Sequence, residues 1–457
     1  MFSAREILNA VGGRLAAGSA GETVKGVSID SRAVKDGDVF IAIKGPRYDG
    51  GAFVAEALSK GARGVVVSSG FRMTVLPGAF KKRFIIRCPD TLKALGRIAR
   101  FHRERFDIPV AAVTGSNGKT TAKEMIGSVL RAGWAPLKNY GTENNLVGVP
   151  LTLLRLNSGH KSAIIELGMN RPSEIKDLAE MARPNLGVIT NIGPSHLERL
   201  NGLPAVYRAK RELLDFLRAG DIAVLNNDDI FLRRFRKKGL RIATFGIDTK
   251  SDFRARRVKK TGDGWSFIVN AGRYFIPTPA RHDIYNALAA ISVGTIFNVA
   301  GPEMSAVLAS YVPLEKRMAS SVLRGIEFID DTYNSNPLSM ESAIRTLAER
   351  RTRGRRIIVG GDMLELGGRA AYYHDMIGGL VARSGIEGFI GVGRLMRRGF
   401  LAAKKAGMEN AWHCASAEDA ANLLGEIARA RDVVLVKGSR AVRMEEVIKC
   451  FTTFFIR

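Results

Sequence analysis

At 457 residues the chain is too long for one ordinary hydrophobic core, so two or three domains are expected. Hydrophobic residues at 46% and charged residues at 25% are the proportions of a soluble globular protein, and no run is apolar for long enough to cross a bilayer. Seventy Lys and Arg against 44 Asp and Glu leave a net charge of +26, yet no basic stripe interleaved with stacking aromatics accompanies it, so nucleic acid is not the expected partner. A positive surface equally suits a substrate carrying several phosphates and carboxylates. The opening Met-Phe-Ser-Ala-Arg-Glu is no signal peptide, and Cys88, Cys414 and Cys450 have neither disulfide nor metal spacing, so a cytoplasmic location is expected.

Short apolar runs at residues 26–29, 39–43, 64–67 and 84–86 read as strands, and 52–58 and 91–99 as helices between them. Polar turns punctuate this first stretch at Asp30-Ser-Arg32, Gly37-Asp38, Lys44-Gly45 and Asp49-Gly50. A second stretch opens with the apolar run from Pro109, continues through Thr114-Gly-Ser-Asn-Gly-Lys-Thr-Thr121, and passes into a helical pattern. Strand, glycine turn and helix start make a phosphate cradle, because backbone N–H groups and the helix dipole both point at the anion. Lys119 supplies a point charge for outer phosphates, and the Thr120 hydroxyl suits Mg²⁺. Only Ser116 and Asn117 separate Gly115 from Gly118, two residues fewer than in the common nucleotide loop.

Further strands are expected at 162–167, 186–192 and 222–225, which gives a mostly parallel sheet with helices on both faces. Turn signals at Thr261–Gly264 and Ala271-Gly272 suggest that residues 251–276 form a small antiparallel appendage. A third stretch, from Pro313, alternates again, with strands at 326–329, 356–359, 389–392 and 433–436, as a second doubly wound sheet without a phosphate loop.

Several polar groups sit where strands end. Glu166 closes an apolar strand and is placed to hold Mg²⁺, or to cap the next helix. His196, in Asn191-Ile-Gly-Pro-Ser-His196, repeats that logic, although a lone histidine is more often structural. Asn286 is a candidate for a base or phosphate contact, Arg317 for a cation reaching a nucleotide from the third stretch, and Asp331 for accepting ribose hydroxyls. Gly361-Asp-Met-Leu-Glu-Leu-Gly367 and Val436-Lys-Gly-Ser-Arg440 each end a strand of the third sheet.

Taken in order, T-G-S-N-G-K-T-T, N-Y-G-T-E-N-N-L-V-G-V-P, I-E-L-G-M-N-R-P, T-N-I-G-P-S-H-L-E, D-D-T-Y-N-S-N-P, G-D-M-L-E-L-G and V-K-G-S-R resemble the Mur ligases from about Ser28 to Met444. The resemblance implies an α/β protein of three domains. These are a UDP-binding α/β domain at 1–107, a mostly parallel-sheet ATPase domain with the phosphate loop at 108–312, and a Rossmann-like domain binding the incoming dipeptide at 313–457. It also implies ATP and Mg²⁺ as cofactors, and joining of D-alanyl-D-alanine to a UDP-N-acetylmuramoyl-tripeptide through an acyl phosphate, in peptidoglycan precursor synthesis. A monomer is expected.

By the same resemblance Thr114, Gly115, Ser116, Asn117, Gly118, Lys119, Thr120 and Thr121, with Asn286, Arg317 and Asp331, take ATP. Lys119, Glu166, His196 and Lys210 are the catalytic set, and Thr120, Glu166, His196 and Lys210 the metal set, Lys210 after reaction with CO₂ to a carbamate. Ser31, Arg32, Lys44, Thr142, Asn144, Asn145, Asn334, Asn336 and Arg440 are the substrate contacts. Two positions depart from the family pattern: Gly51, usually histidine, and Ala280-Arg-His-Asp283, more often G-x-H-N. Rival readings are another ligase on this scaffold, including a folylpolyglutamate type, a nucleic-acid-binding ATPase prompted by the charge, and a silent scaffold.

Overall fold

Short β-branched runs punctuated by Gly and Asp fold into mainly parallel strands, with amphipathic helices returning the chain between them. The protein is described from a computed structural model, which covers residues 2–45, 48–72, 83–262 and 264–454; Asp263, in the turn expected at Thr261–Gly264, lies outside the described residues. The chain divides into two compact units, one of Met1–Ala112, Trp134–Met169 and Glu174–Asn185, the other of Val113–Gly133, Asn170–Ser173 and Leu186–Arg457.

In the first unit, strands Arg14–Ala17, Phe84–Cys88, Gly64–Ser68, Val39–Ile41 and Val27–Ser28 lie side by side in that order. The first pair is antiparallel and the rest are parallel. Alternation along the strands splits the core. Val39, Ile41, Val66, Phe84 and Ile86 pack with residues of helices Ala4–Val11 and Thr91–Arg103, while Phe40, Val65, Val67 and Ile85 pack with Val54, Ala57 and Leu58 of helix Val54–Ser59. A Ser3–Glu6 capping box starts the first of these helices, and Gly12, at φ +63°, stops it. Also in this unit, strand Ser162–Glu166 pairs in parallel with Pro136–Lys138, and the Ala163 N–H donates to Pro109 O at 3.0 Å.

Strand Val110–Thr114 runs from the first unit into the second, where the Thr190 N–H donates to Thr114 O at 3.0 Å. There Leu186–Ile189, Ile222–Asn226, Arg241–Gly246 and Phe253–Arg254 follow one another in parallel. The antiparallel appendage is Arg256–Thr261, Gly264–Val269 and Gly272–Ile276. Residues 253–254, expected within that appendage, instead edge the parallel sheet. Arg241–Gly246 was not expected, since Arg241 and Thr244 interrupt its apolar run.

The second unit also carries a six-stranded sheet in the order Ala319–Leu323, Ile326–Asp331, Val433–Lys437, Arg356–Gly361, Gly388–Val392 and Ala411–Cys414. Only the Ala319–Leu323 pairing is antiparallel. The two outer strands escaped the sequence reading because an edge strand needs no continuous apolar run. The last strand in sequence, Val433–Lys437, inserts beside Ile326–Asp331, so the order reverses there. Asp331, Gly361 and Lys437 mark the carboxyl ends at that switch point, where doubly wound sheets gather ligands. No helix among the described residues is long and apolar enough to cross a membrane.

Candidate active site

The loop between strand Val110–Thr114 and helix Lys119–Trp134 is held by the turn after Leu186–Ile189. Asn191 grips Asn117 with both ends of its amide: Oδ1 accepts from the Asn117 N–H at 2.9 Å, and Nδ2 donates to Asn117 O at 3.1 Å. Thr190 Oγ1 donates to the same carbonyl at 2.5 Å, and Ser116 Oγ donates to Gly193 O at 2.9 Å. Asp229 anchors this turn in its own right, accepting from the Ile192 N–H at 2.7 Å. Two glycines are obligatory. Gly115, at φ +153°, faces Thr190 Oγ1, and Gly118, at φ +78°, faces Asn286 Oδ1, each too close for a Cβ. Asn286 thus lies under the loop, its amide donating to Asp283 Oδ1 at 2.8 Å. Asn191, Thr190 and Asp229 had no assigned role from sequence; their position one strand over from a phosphate loop was the available signal.

Lys119 Nζ folds back on loop carbonyls, donating to Gly115 O at 2.9 Å and Ser116 O at 3.3 Å. Thr120 Oγ1 accepts from Arg317 Nη2 at 3.0 Å, and the Arg317 guanidinium stacks 3.8 Å above the Tyr333 ring. A second bridge joins the loop to the six-stranded lobe. Asn336 Nδ2 donates to Asn117 Oδ1 at 2.7 Å, and Asn117 Nδ2 returns a bond to Asn336 Oδ1 at 3.2 Å. Asn336 also caps helix Pro337–Ala348, accepting from the Ser339 N–H. In this arrangement its amide joins two lobes, which differs from the dipeptide contact expected of it.

At the switch point of the six-stranded sheet, Lys437 Nζ lies 2.6 Å from Asp331 Oδ2 and donates to Asn334 O at 2.9 Å. Asn334 Oδ1 accepts from the Ser335 N–H at 2.9 Å. Arg440 Nη1 is 2.9 Å from Glu445 Oε1, which Lys316 Nζ meets at the same distance. For Arg440 to take a dipeptide carboxylate it would have to leave Glu445.

His196 occupies the left-handed region at φ +54°, and its Nδ1 is 2.7 Å from Glu365 Oε2. The hydrogen bond from His196 holds the Glu365 carboxyl below its ordinary value. Lys210 is buried at 1% exposure on helix Leu203–Phe216, with no hydrogen bond or ion pair among the described residues. Burial first, and the Lys119 ammonium second, push its amine well below the ordinary value. A buried amine with no partner among the described residues is an unusual expense for a fold, which makes Lys210 a candidate functional group.

Within the first unit the amide-rich loop serves Glu166. Asn139 Oδ1 accepts from the Glu166 N–H at 2.6 Å, and Asn144 Nδ2 donates to Glu166 Oε1 at 2.7 Å. Glu166 is 1% exposed, and its other oxygen, Oε2, has no hydrogen-bond partner among the described residues. A buried carboxylate oxygen left open is what a divalent cation takes, so Glu166 itself fits Mg²⁺, although no three His, Cys, Asp or Glu side chains cluster as a metal site among the described residues. Asn145, expected at substrate, accepts through Oδ1 from the Val147 and Gly148 N–H groups at 3.0 and 2.9 Å, just before helix Gly148–Leu153. Thr142 turns the same loop, its carbonyl accepting from the Asn144 N–H at 2.7 Å.

Ser31 Oγ donates to Glu56 Oε2 at 2.8 Å, and Arg32 makes a two-bond fork on Asp30, whose carboxyl that contact lowers to about 2. Lys44 Nζ lies 3.7 Å from Asp49 Oδ2. At the departure Gly51, a Cβ would approach the Phe71 ring to 3.0 Å, so the aromatic ring takes space that the family's histidine would need. The basic clusters are largely committed. Lys237 Nζ donates to the carbonyls of Leu214, Asp215 and Leu217, while Arg350, Arg355 and Arg356 pair with Glu327, Asp432 and Glu387.

Three sequence-family models match: Mur ligase family, catalytic domain, over residues 23–103; Mur ligase middle domain over 113–294; and Mur ligase, glutamate ligase domain, over 316–440. The chain is similar to the UDP-N-acetylmuramoyl-tripeptide–D-alanyl-D-alanine ligase of Bacillus subtilis, 31% identical over 435 residues and 93% of each chain. The Escherichia coli protein of the same name is 32% identical over 435 residues, again 93% of each. Among solved structures, MurF from Acinetobacter baumannii superposes with a TM-score of 0.89 at 28% identity over 99% of both chains. MurF ligase from Thermotoga maritima in complex with ADP gives 0.83 at 27%, over 94% of this chain and 97% of that one.

Proposed function

The chain belongs to the Mur ligase family, and from that membership we infer that it is an ATP-dependent, ADP-forming ligase joining D-alanyl-D-alanine to UDP-N-acetylmuramoyl-tripeptide in peptidoglycan precursor synthesis. The observation that carries the reading is the loop Thr114–Thr121, clamped by Asn191 and met by Arg317 from the neighbouring lobe. The ADP bound to the Thermotoga maritima relative supports ATP as the nucleotide. We assign residues 1–107 to the uridine nucleotide, 108–312 to ATP, and 313–457 to the dipeptide. The three cysteines are free thiols, in keeping with a cytoplasmic reaction.

In the reaction, an oxygen of the terminal tripeptide carboxylate attacks the γ-phosphorus of ATP. The bond to the bridging oxygen breaks, releasing ADP and leaving an acyl phosphate. The dipeptide amine then attacks the acyl carbon, loses a proton, and expels phosphate. Such transfer needs positioning and charge neutralisation more than a nucleophilic side chain. Lys119, now on loop carbonyls, moves to the outer phosphates; the loop N–H groups and Thr121 cradle the anion. Arg317 follows the transferring phosphoryl, and Asp331, braced by Lys437, accepts ribose hydroxyls. Thr120, His196 and carbamylated Lys210 are the residues of the second unit that would hold Mg²⁺, and Glu166 is the residue of the first unit that would do so. When bound, the cation supplies charge stabilisation to the phosphoryl oxygens. Ser31, Arg32 and Lys44 hold the uridine diphosphate; Asn334, Arg440 and Asn336, once released from Asn117, hold the dipeptide zwitterion.

Mass analysis of the products tests this reading. The purified chain with ATP, UDP-N-acetylmuramoyl-tripeptide and D-alanyl-D-alanine should yield one UDP-pentapeptide per ADP. ADP formed without pentapeptide would overturn it.

A further inference from the structure

His196 and Glu365 meet in a way that an incidental surface ion pair does not explain. Exposed pairs are held by flexible side chains and contribute about 0–1 kcal/mol. Here both backbones are in the left-handed region, His196 at φ +54° and Glu365 at φ +61°, a conformation that costs side-chain-bearing residues energy and persists only where surroundings impose it. The contact is doubled: beside the 2.7 Å approach of Nδ1 to Oε2, the Glu198 N–H donates to Glu365 O at 3.0 Å.

The segment carrying Glu365 is itself fixed. The Leu364 N–H donates to Ser439 Oγ at 2.9 Å, the Met363 N–H to the buried His374 Nε2 at 3.0 Å, and the Ser439 N–H to Asp362 O at 3.0 Å. His374 Nδ1 bonds Ala370 O at 2.7 Å, which sets its tautomer with Nε2 as the acceptor. The carboxylate is thus presented to His196 by a rigid chain of bonds within the six-stranded lobe.

An imidazole that gives its Nδ1–H to a carboxylate has its Nε2 lone pair left over, in a fixed direction, for a cation. We propose that Glu365 is a positioning residue for the metal site: by accepting from His196 Nδ1 it orients the ring with Nε2 toward a divalent cation, so that metal affinity depends on the six-stranded lobe. This rests on the assignment of His196 as a metal ligand.

The test titrates Mn²⁺, with ADP present, into the full chain and into three variants, following free Mn²⁺ by electron paramagnetic resonance. Thermal melts confirm that each variant folds. Glu365→Ala should weaken Mn²⁺ binding about 10–100-fold, the usual effect of losing a residue that orients a metal-bound histidine. Glu365→Gln, whose carbonyl still accepts from Nδ1–H, should stay within about threefold of the parent. A merely structural ion pair would treat the two alike, because both lose the charge. His196→Ala should weaken binding at least as much as Glu365→Ala. If Glu365→Ala binds Mn²⁺ as the parent does, or Glu365→Gln is as weak as Glu365→Ala, while His196→Ala is impaired, the positioning role is wrong and the metal assignment stands. If His196→Ala also binds normally, the underlying assignment fails and the proposal with it.

Discussion

Replacing Lys210 by Met keeps the apolar stem on helix Leu203–Phe216 and removes only the amine. The parent amine is 1% exposed with no partner among the described residues, and burial and Lys119 hold it well below its ordinary value of 10.5. The unfolded chain therefore binds a proton that the folded chain does not, over the window from the depressed folded value up to about 10.5. Stability of the parent rises with pH through that window, by up to ~1.4 kcal/mol per pH unit for this single group. Lys210→Met has no such group, so its advantage over the parent is fully present below the folded value and disappears above about pH 10.5. At neutral pH the variant should be more stable by roughly 1–3 kcal/mol, the scale on which apolar groups replace poorly compensated buried charge. Turnover should fall by a factor of about 100 or more, since the anionic metal ligand proposed to form from this amine would be lost. Chemical denaturation of both proteins at several pH values in degassed, metal-free buffer gives the stability difference, and ADP release gives turnover. An equally pH-dependent parent and variant would show that Lys210 is not held below its ordinary value, and wild-type turnover in Lys210→Met would remove it from the catalytic set. Lys210→Ala should in addition regain part of its turnover when formate or acetate refills the anion position.

Lys119→Ala should lose about 100–1,000-fold in kcat, measured by coupled ADP release, with a thermal melt to check that the variant folds. Arg317→Ala removes the bond to Thr120 and the stack on Tyr333, worth together about 2–4 kcal/mol, and should raise the ADP Kd measured by calorimetry. Arg440→Ala should raise KM for D-alanyl-D-alanine more than KM for ATP; an unchanged dipeptide KM would move the carboxylate site elsewhere. Arg32→Ala should weaken UDP-tripeptide binding about tenfold while ADP binding is unaffected, as tested by isothermal titration of each ligand.

Glycine turns and strand-end polar residues were legible because their chemistry is local. A phosphate loop must have Gly115 and Gly118 where Thr190 and Asn286 leave no room for a Cβ, so it is visible in any sequence that contains it. Partners far apart in sequence were not legible. Nothing in Lys437 announces Asp331, nor in Glu365 announces His196, because sheet order and lobe docking decide those pairs. Amides were the hardest group to assign. Asn145 and Asn336 carry the polarity of ligand contacts yet accept from backbone N–H groups at helix starts here, since one side chain serves either purpose. The edge strands Ala319–Leu323 and Ala411–Cys414 were missed for a related reason: with one side unpaired, their residues need not be apolar.

The most direct test of the ligase assignment is phosphate release from ATP by the purified chain, with UDP-N-acetylmuramoyl-tripeptide and D-alanyl-D-alanine each withheld in turn. Release should be sustained only when both are present, with none above background when DNA is added in their place. Steady hydrolysis without either peptide substrate, or stimulation by DNA, would contradict it.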